Sequence, residues 1–256
     1  MMLLTIDVGN TNIVLNVMYG DTIRYHVRME TDRAADASIY TQRVKAALEP
    51  AGCLGDLDGA ILSSVVPEVN NALCAAAEAL TGKSCLVLDH TTETGMPLHV
   101  DEPATIGADI IAGCAAAKER YSLPLVVVDL GTANTIMAVD RDGAYCGGII
   151  SAGLKMQLKA LGAGTSLLPD LEIAAPEKCI GTNTVDCLES GAVYGTAAMI
   201  DGIVERMEQE LGAPLTVVAT GGLSTLVCPH CRHKVYYEPE LIPVGLADIY
   251  RKNVKA

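Results

Sequence analysis

The sequence predicts a duplicated α/β fold, two related halves each built from strands with helices laid against them. Three observations predict it. Asp7-Val8-Gly9-Asn10-Thr11 is echoed by Asp129-Leu130-Gly131-Thr132-Ala133-Asn134-Thr135, about half of the 256-residue chain further on. Each copy follows an apolar run of strand character, Met2-Leu3-Leu4-Thr5-Ile6 or Leu125-Val126-Val127-Val128. Each also leads into another, Ile13-Val14-Leu15 or Ile136-Met137-Ala138-Val139. Strands then alternate with alanine-rich helical stretches in both halves, which implies α/β layers around each copy.

The elements follow in order from hydrophobic pattern and breaker residues. In the first half, Thr22–Met29 reads as a strand, Asp36–Leu48 as a helix ending near Pro50, and 59–67 as a buried strand closed by proline. A helix over 69–80 and a short strand over 84–88 come next. Thr105 is placed to cap a helix that runs to about Arg120, with Gly107-Ala108-Asp109-Ile110 in its first turns. In the second half, Gly147-Gly148 introduces a strand over 149–153, followed by a helix over 154–161. A loop from Pro169 to Gly181 precedes a long helix over 183–211. A strand, Thr216–Ala219, then opens into Thr220-Gly221-Gly222 and a helical 223–226.

The repeated loop suits a phosphate-bearing ligand. Glycine lets the backbone turn sharply and come close to a ligand. Successive N–H groups around such a turn form an anion-binding concavity, to which Asn and Thr side chains add donors. The aspartates cannot bind phosphate themselves but can hold Mg²⁺ or a monovalent cation that bridges to it. Thr220-Gly221-Gly222 lets the chain lie flat against such a ligand. One Asp-x-Gly is an ordinary turn signal; two in the same strand–loop–strand setting indicate function.

Composition narrows the classes. Half of the residues are hydrophobic and 19% are charged, as in a globular protein. A net charge of −13 argues against a nucleic-acid binder. No apolar run approaches the ~20 residues of a membrane span, and Met1–Ile6 reads as a first strand rather than a leader, so the expected location is cytoplasmic. Of nine cysteines, Cys53, Cys74, Cys85, Cys114, Cys146, Cys179 and Cys187 read mostly as small core residues. Cys228-Pro229-His230-Cys231-Arg232-His233 carries residues that zinc accepts, although a reduced surface loop is the plainer reading.

With Asp7–Thr11, Asp129–Thr135 and Thr220–Gly222 stand Ser64-Val65-Val66-Pro67, Gly107-Ala108-Asp109, Gly147-Gly148, Gly181-x-Asn183-Thr184 and Ser190-Gly191. Carrying these, the chain resembles the actin and sugar-kinase superfamily, and within it type III pantothenate kinase. The resemblance implies duplicated actin-like (ribonuclease H-like) domains, each a mixed β-sheet flanked by helices, over 1–118 and 119–256. It implies a homodimer that phosphorylates the primary hydroxyl of pantothenate with ATP, the first step of coenzyme A biosynthesis. Mg²⁺ and a monovalent cation, K⁺ or NH₄⁺, are the implied cofactors. Ile6, Asp7, Val8, Gly9, Asn10, Thr11, Asn12, Ile13 and Thr132 would bind ATP, and Asp129 the monovalent cation. Val100, Gly107, Ala108, Asp109, Ile110 and Thr184 would lie at the acceptor, with Asp109 as general base.

Read from the residues, Asp109 is a carboxylate kept ionised by the positive end of its helix and ready to take a proton; a helix-terminal acid stabilised by the dipole is the plainer alternative. Ile110 stands where the family has arginine, and Val100 where it tends to have tyrosine. Ala37 replaces an acid, Ala152-Gly153 replaces Pro-Gly, and Pro243-Val244-Gly245 replaces Leu-Glu-Gly. A charge-assisted bond from arginine is worth about 1.5–3 kcal/mol, and isoleucine supplies none. Against that, Ile110 follows Ile106 at helical spacing and can pack on an apolar face. The altered positions also admit an ATP-binding paralogue with another acceptor, such as pantetheine, or a weakly active regulatory relative.

Overall fold

The structure, a computed structural model, describes residues 1–163 and 173–254. It contains two five-stranded sheets. The first comprises β1 (Met2–Val8), β2 (Asn12–Tyr19), β3 (Thr22–Glu30), β4 (Gly59–Ser64) and β5 (Leu86–Val87), in the order β3-β2-β1-β4-β5. The second comprises β6 (Leu125–Leu130), β7 (Ala133–Val139), β8 (Tyr145–Ala152), β9 (Thr216–Thr220) and β10 (Val235–Tyr237), in the order β8-β7-β6-β9-β10. In each sheet the first three strands are antiparallel and the last two run parallel to the first. A bulge recurs as well, after Val17 in β2 and after Ala138 in β7. The sequence repeat is therefore a repeat of topology.

The helices are α1 (Ala37–Leu48), α2 (Pro67–Thr81), α3 (Ala108–Arg120), α4 (Leu154–Ala163), α5 (Thr184–Leu211), α6 (Ser224–Val227) and α7 (Leu241–Asn253). Alternate residues of each central strand enter the cores, as a pleated strand with both faces covered requires. In the first sheet, Leu4, Ile6 and Val8 are buried with Tyr40 and Val44 of α1 and Leu73 of α2. In the second, Val126, Val128 and Leu130 are buried with Leu154 of α4 and Val193, Ala197 and Ile200 of α5. Each Leu, Ile or Val among them contributes about 1.5–3 kcal/mol by leaving water.

The chain divides into two compact units: Met1–Met96, Asp101–Ala116 and Glu240–Ala256, against Pro97–Val100 and Ala117–Pro239. A single cut at 118 therefore misplaces the last helix. α7 packs on β1 and β4, and its Tyr250 ring lies over Gly59, where a Cβ would stand 1.9 Å from Oη.

Other expectations change locally. Pro67 opens α2 rather than closing a strand, because the first helical turn has no use for its missing N–H. Thr105 does not cap α3. It sits in a 3₁₀ turn and its hydroxyl donates to the Glu102 carbonyl at 2.8 Å. Gly147 and Gly148 lie inside β8, where a Cβ on Gly148 would come within 2.2 Å of the Ile136 carbonyl oxygen. Cys179 and Cys187 are exposed rather than core. The expected loop from Pro169 lies outside the described residues as far as 172.

Candidate active site

The first Asp-x-Gly loop closes the β1–β2 hairpin. Asp7 pairs across to Val14 and Val8 to Ile13, leaving Gly9, Asn10 and Thr11 as the turn. The Gly9 N–H donates to the Asn12 carbonyl at 2.9 Å. Gly9 does not have a left-handed φ; glycine matters there because a Cβ would stand 3.3 Å from that same carbonyl oxygen. Ile6, Val8 and Ile13 are buried and hold the hairpin in the sheet. Asp7 is half-buried, while Asn10 and Thr11 are exposed at the tip. Ser63, on the parallel strand β4, donates its hydroxyl to Asp7 Oδ1 at 3.0 Å. In sequence its only signal is that it is one of two hydroxyl residues, Ser63 and Ser64, closing an otherwise apolar strand.

The second loop repeats this arrangement with one residue fewer. Asp129 pairs with Thr135 and Leu130 with Asn134, so only Gly131 and Thr132 form the turn. Asn134 thus takes the register of Ile13, and it is fully buried. Asp129 is half-buried and lies beside Thr220 of β9. The next residue, Gly221, has φ +88°, and a Cβ there would stand 2.3 Å from Asp129 Oδ1. Only glycine lets the chain pass this close to the carboxylate oxygen at the strand end, and a carboxylate is a ligand that a hard cation accepts. Among the described residues no three His, Cys, Asp or Glu side chains converge as a metal cluster.

Asp109 occupies the second position of α3. The Ile110 N–H donates to Asp109 Oδ1 at 2.9 Å, and a Cβ on Gly107 would stand 2.4 Å from that oxygen. At the helix start the dipole favours the ionised form of this acid, and burial acts against it. Desolvation by burial outweighs the N–H bonds and raises the Asp109 pKa above the usual 3.8. The carboxylate is correspondingly more basic. Helix α3 is held close to α7, where a Cβ on Gly245 would stand 2.1 Å from the Ala112 carbonyl oxygen. Ala108 is buried, and Gly107 and Ile110 are half-buried.

In the other unit, Thr184 is the exposed first residue of α5, whose N-cap Asn183 accepts from the Asp186 N–H at 3.0 Å. Val100 follows a segment that bridges to β8 through His99 N–H and the Tyr145 carbonyl at 2.8 Å. The first unit therefore contains Ile6–Ile13 and Gly107–Ile110; the second contains Val100, Asp129, Thr132 and Thr184.

The Cys228–His233 loop is fastened elsewhere. His233 Nδ1 lies 2.7 Å from Asp201 Oδ1, and the His230 ring packs on Tyr194 at 4.6 Å. Burial pushes the thiols of both Cys228 and Cys231 up, the latter to about 12.

The chain is similar to known proteins over its length. The family model for type III pantothenate kinase matches residues 3–206. A type III pantothenate kinase from an Exiguobacterium species is 39% identical over 99% of this chain and 100% of its own. Two solved structures share the fold. They are component A of the (R)-2-hydroxyglutaryl-CoA dehydratase of Acidaminococcus fermentans (TM-score 0.57, 14% identity, all of both chains) and the ROK hexokinase of Thermus thermophilus (0.50, 13%, 98% and 99%). The sheets thus form two actin-like domains, each a mixed sheet flanked by helices, and with its match running the full length of both sequences the chain belongs to the type III pantothenate kinase family.

Proposed function

We propose that this chain transfers the γ-phosphoryl group of ATP to the primary hydroxyl of pantothenate. As a member of that family it is a phosphotransferase that uses ATP with a divalent metal. The observation that carries the assignment of roles is the half-buried Asp109, whose desolvated carboxyl has a raised pKa, in the first turn of α3. The pantothenate hydroxyl oxygen attacks the γ-phosphorus, its proton passes to an Asp109 carboxylate oxygen, and the bond to the β-phosphate oxygen breaks to release ADP. The raised pKa makes the Asp109 carboxylate a stronger base and brings proton transfer to it closer to balance.

Backbone N–H groups of the Gly9–Thr11 turn, with Asn10, Thr11 and Asn12, hold phosphate oxygens, and Thr132 does so from the second loop. Ile6, Val8 and Ile13 keep the turn in place, and Asp7 is placed to accept water bound to Mg²⁺. Asp129 would hold K⁺ or NH₄⁺ through its carboxylate. These cations supply charge neutralisation to phosphate oxygens when bound. Val100, Gly107, Ala108, Ile110 and Thr184 contact the acceptor. The working form is a homodimer in the cytoplasm, with small molecules as its substrates. The full-length match to pantothenate kinases favours that acceptor over pantetheine and over a regulatory role.

The test is ADP release by the purified protein with Mg²⁺ and potassium, with pantothenate and pantetheine offered in parallel. Turnover of pantothenate that disappears in Asp109→Asn is expected. Turnover of pantetheine alone, or an Asp109→Asn variant as fast as the parent, would sink the reading.

A further inference from the structure

In each sheet the residue that follows the third strand braces the loop that follows the first. Thr31, one residue beyond β3, donates from Oγ1 to the Gly9 carbonyl at 2.7 Å and from its N–H to the Thr11 carbonyl at 3.0 Å. Gly153, one residue beyond β8, donates its N–H to the Thr132 carbonyl at 3.1 Å. There, the buried Asn134 also holds the neighbouring Ala152 carbonyl from Nδ2 at 3.2 Å, while its Oδ1 has no partner among the described residues. The two units make this brace from unlike residues, so it does not follow from the repeated motif itself.

The brace fixes more than the shape of a turn, because the Gly9 N–H bond to Asn12 already closes the hairpin. A trans peptide holds its C=O and N–H in one plane, pointing in opposite directions across the C–N bond. Tying the Gly9 carbonyl to Thr31 therefore turns the Asn10 N–H away from Thr31, and tying the Thr11 carbonyl does the same for the Asn12 N–H. Donors aimed in advance bind an anion without the cost of ordering them at the moment of binding.

We propose that Thr31 is a positioning residue for the phosphates of ATP, acting through the Gly9 and Thr11 carbonyls on the N–H groups of Asn10 and Asn12. The proposal rests on the reading of Ile6–Ile13 as the ATP loop. Thr31→Val keeps the shape and the backbone bond to Thr11 and loses only the hydroxyl bond to Gly9. The KM for ATP should rise roughly five- to tenfold, the equivalent of about one hydrogen bond. kcat and the KM for pantothenate should stay within about twofold, and Thr31→Ser should restore the parent value. Asn10→Asp, measured alongside, places a negative charge on the loop and should raise the KM for ATP further. If Asn10→Asp raises it and Thr31→Val does not, the Thr31 proposal is overturned and the loop reading stands. If neither changes it, both fall. Thermal melting checks the fold of each variant. Should Thr31→Val not fold, the comparison of Thr31→Ala with Thr31→Ser decides: equal KM values for ATP overturn the proposal, and a higher value in the alanine variant supports it.

Discussion

Gly153 donates its N–H to the carbonyl oxygen of Thr132 at 3.1 Å, and a Cβ on Gly153 would stand 2.4 Å from that same oxygen. The contact is backbone on backbone, so neither side can move a rotamer to make room. Gly153→Ala should therefore displace the Gly131–Thr132 turn or the start of α4. Overpacking of this kind costs about 1–3 kcal/mol. The expected result is a lower Tm together with a higher KM for ATP, measured by thermal melting and steady-state kinetics. A variant with parent-like values for both would mean that the turn has slack the geometry does not show.

The architecture was legible where strands are long and both faces are covered. β1, β2, β6 and β7 carry apolar runs around the repeated loop, and their duplication predicted the duplicated sheet. β10 has only three residues, too few to establish a period, and Pro243 in the first turn of α7 reads as a breaker although a proline there leaves no hydrogen bond unmade. The site was legible as a set of motifs, while the forces within it were not. Sequence places Asp109 near a helix start, but only the packing reveals how thoroughly water is excluded and hence which way its pKa moves. Thr31 is a lone threonine between a strand and a helix, and its role depends on a turn some twenty residues earlier in the chain.

Ile110 lies one residue beyond Asp109, and its N–H is bonded to the Asp109 carboxylate. Ile110→Arg would bring a guanidinium near that carboxylate and near a carboxylate-bearing acceptor. An opposite charge favours the ionised acid, so the Asp109 pKa should fall and the acid limb of the kcat profile should move to lower pH. The KM for pantothenate should drop about tenfold, as one charge-assisted bond would give. If both the KM and the acid limb stay in place, the isoleucine is packing on its helix and the missing arginine has no bearing on binding.

Asp201 anchors the Cys228–His233 loop from α5. Its carboxylate, 2% exposed, accepts the Arg232 N–H at 2.8 Å, the His233 N–H at 3.1 Å and the His233 ring at 2.7 Å. Burial raises its pKa, but these donors outweigh burial and the net value lies below 3.8. A depressed folded pKa stabilises fully above the unfolded value, and that contribution is lost as pH falls through the folded one. Asp201→Asn should therefore cost about 1.5–3 kcal/mol near neutrality, as expected for hydrogen bonds to a charge. The gap to the parent should close below about pH 4, in the range of an ordinary carboxylate. Denaturant melts at several pH values check both; a gap independent of pH would show that the charge contributes nothing.

Asp109 should show the opposite sign. Its pKa is raised by burial, so the ionised form opposes folding at all pH values above the folded pKa, and the penalty vanishes below the unfolded one. Asp109→Asn removes the charge and nearly preserves the shape, so the variant should melt at a higher temperature than the parent at neutral pH. The gain should shrink as pH falls towards the ordinary carboxylate range. At the same time kcat should fall by about 10²–10⁴, the usual contribution of a general base, with the KM for ATP little changed. In the parent, the acid limb of the kcat profile should lie above pH 3.8, on the side to which burial has moved the group. A variant that loses activity and stability together would identify Asp109 as a structural acid. Gain in Tm with loss of turnover is the signature of a charge kept in an unfavourable place for chemistry.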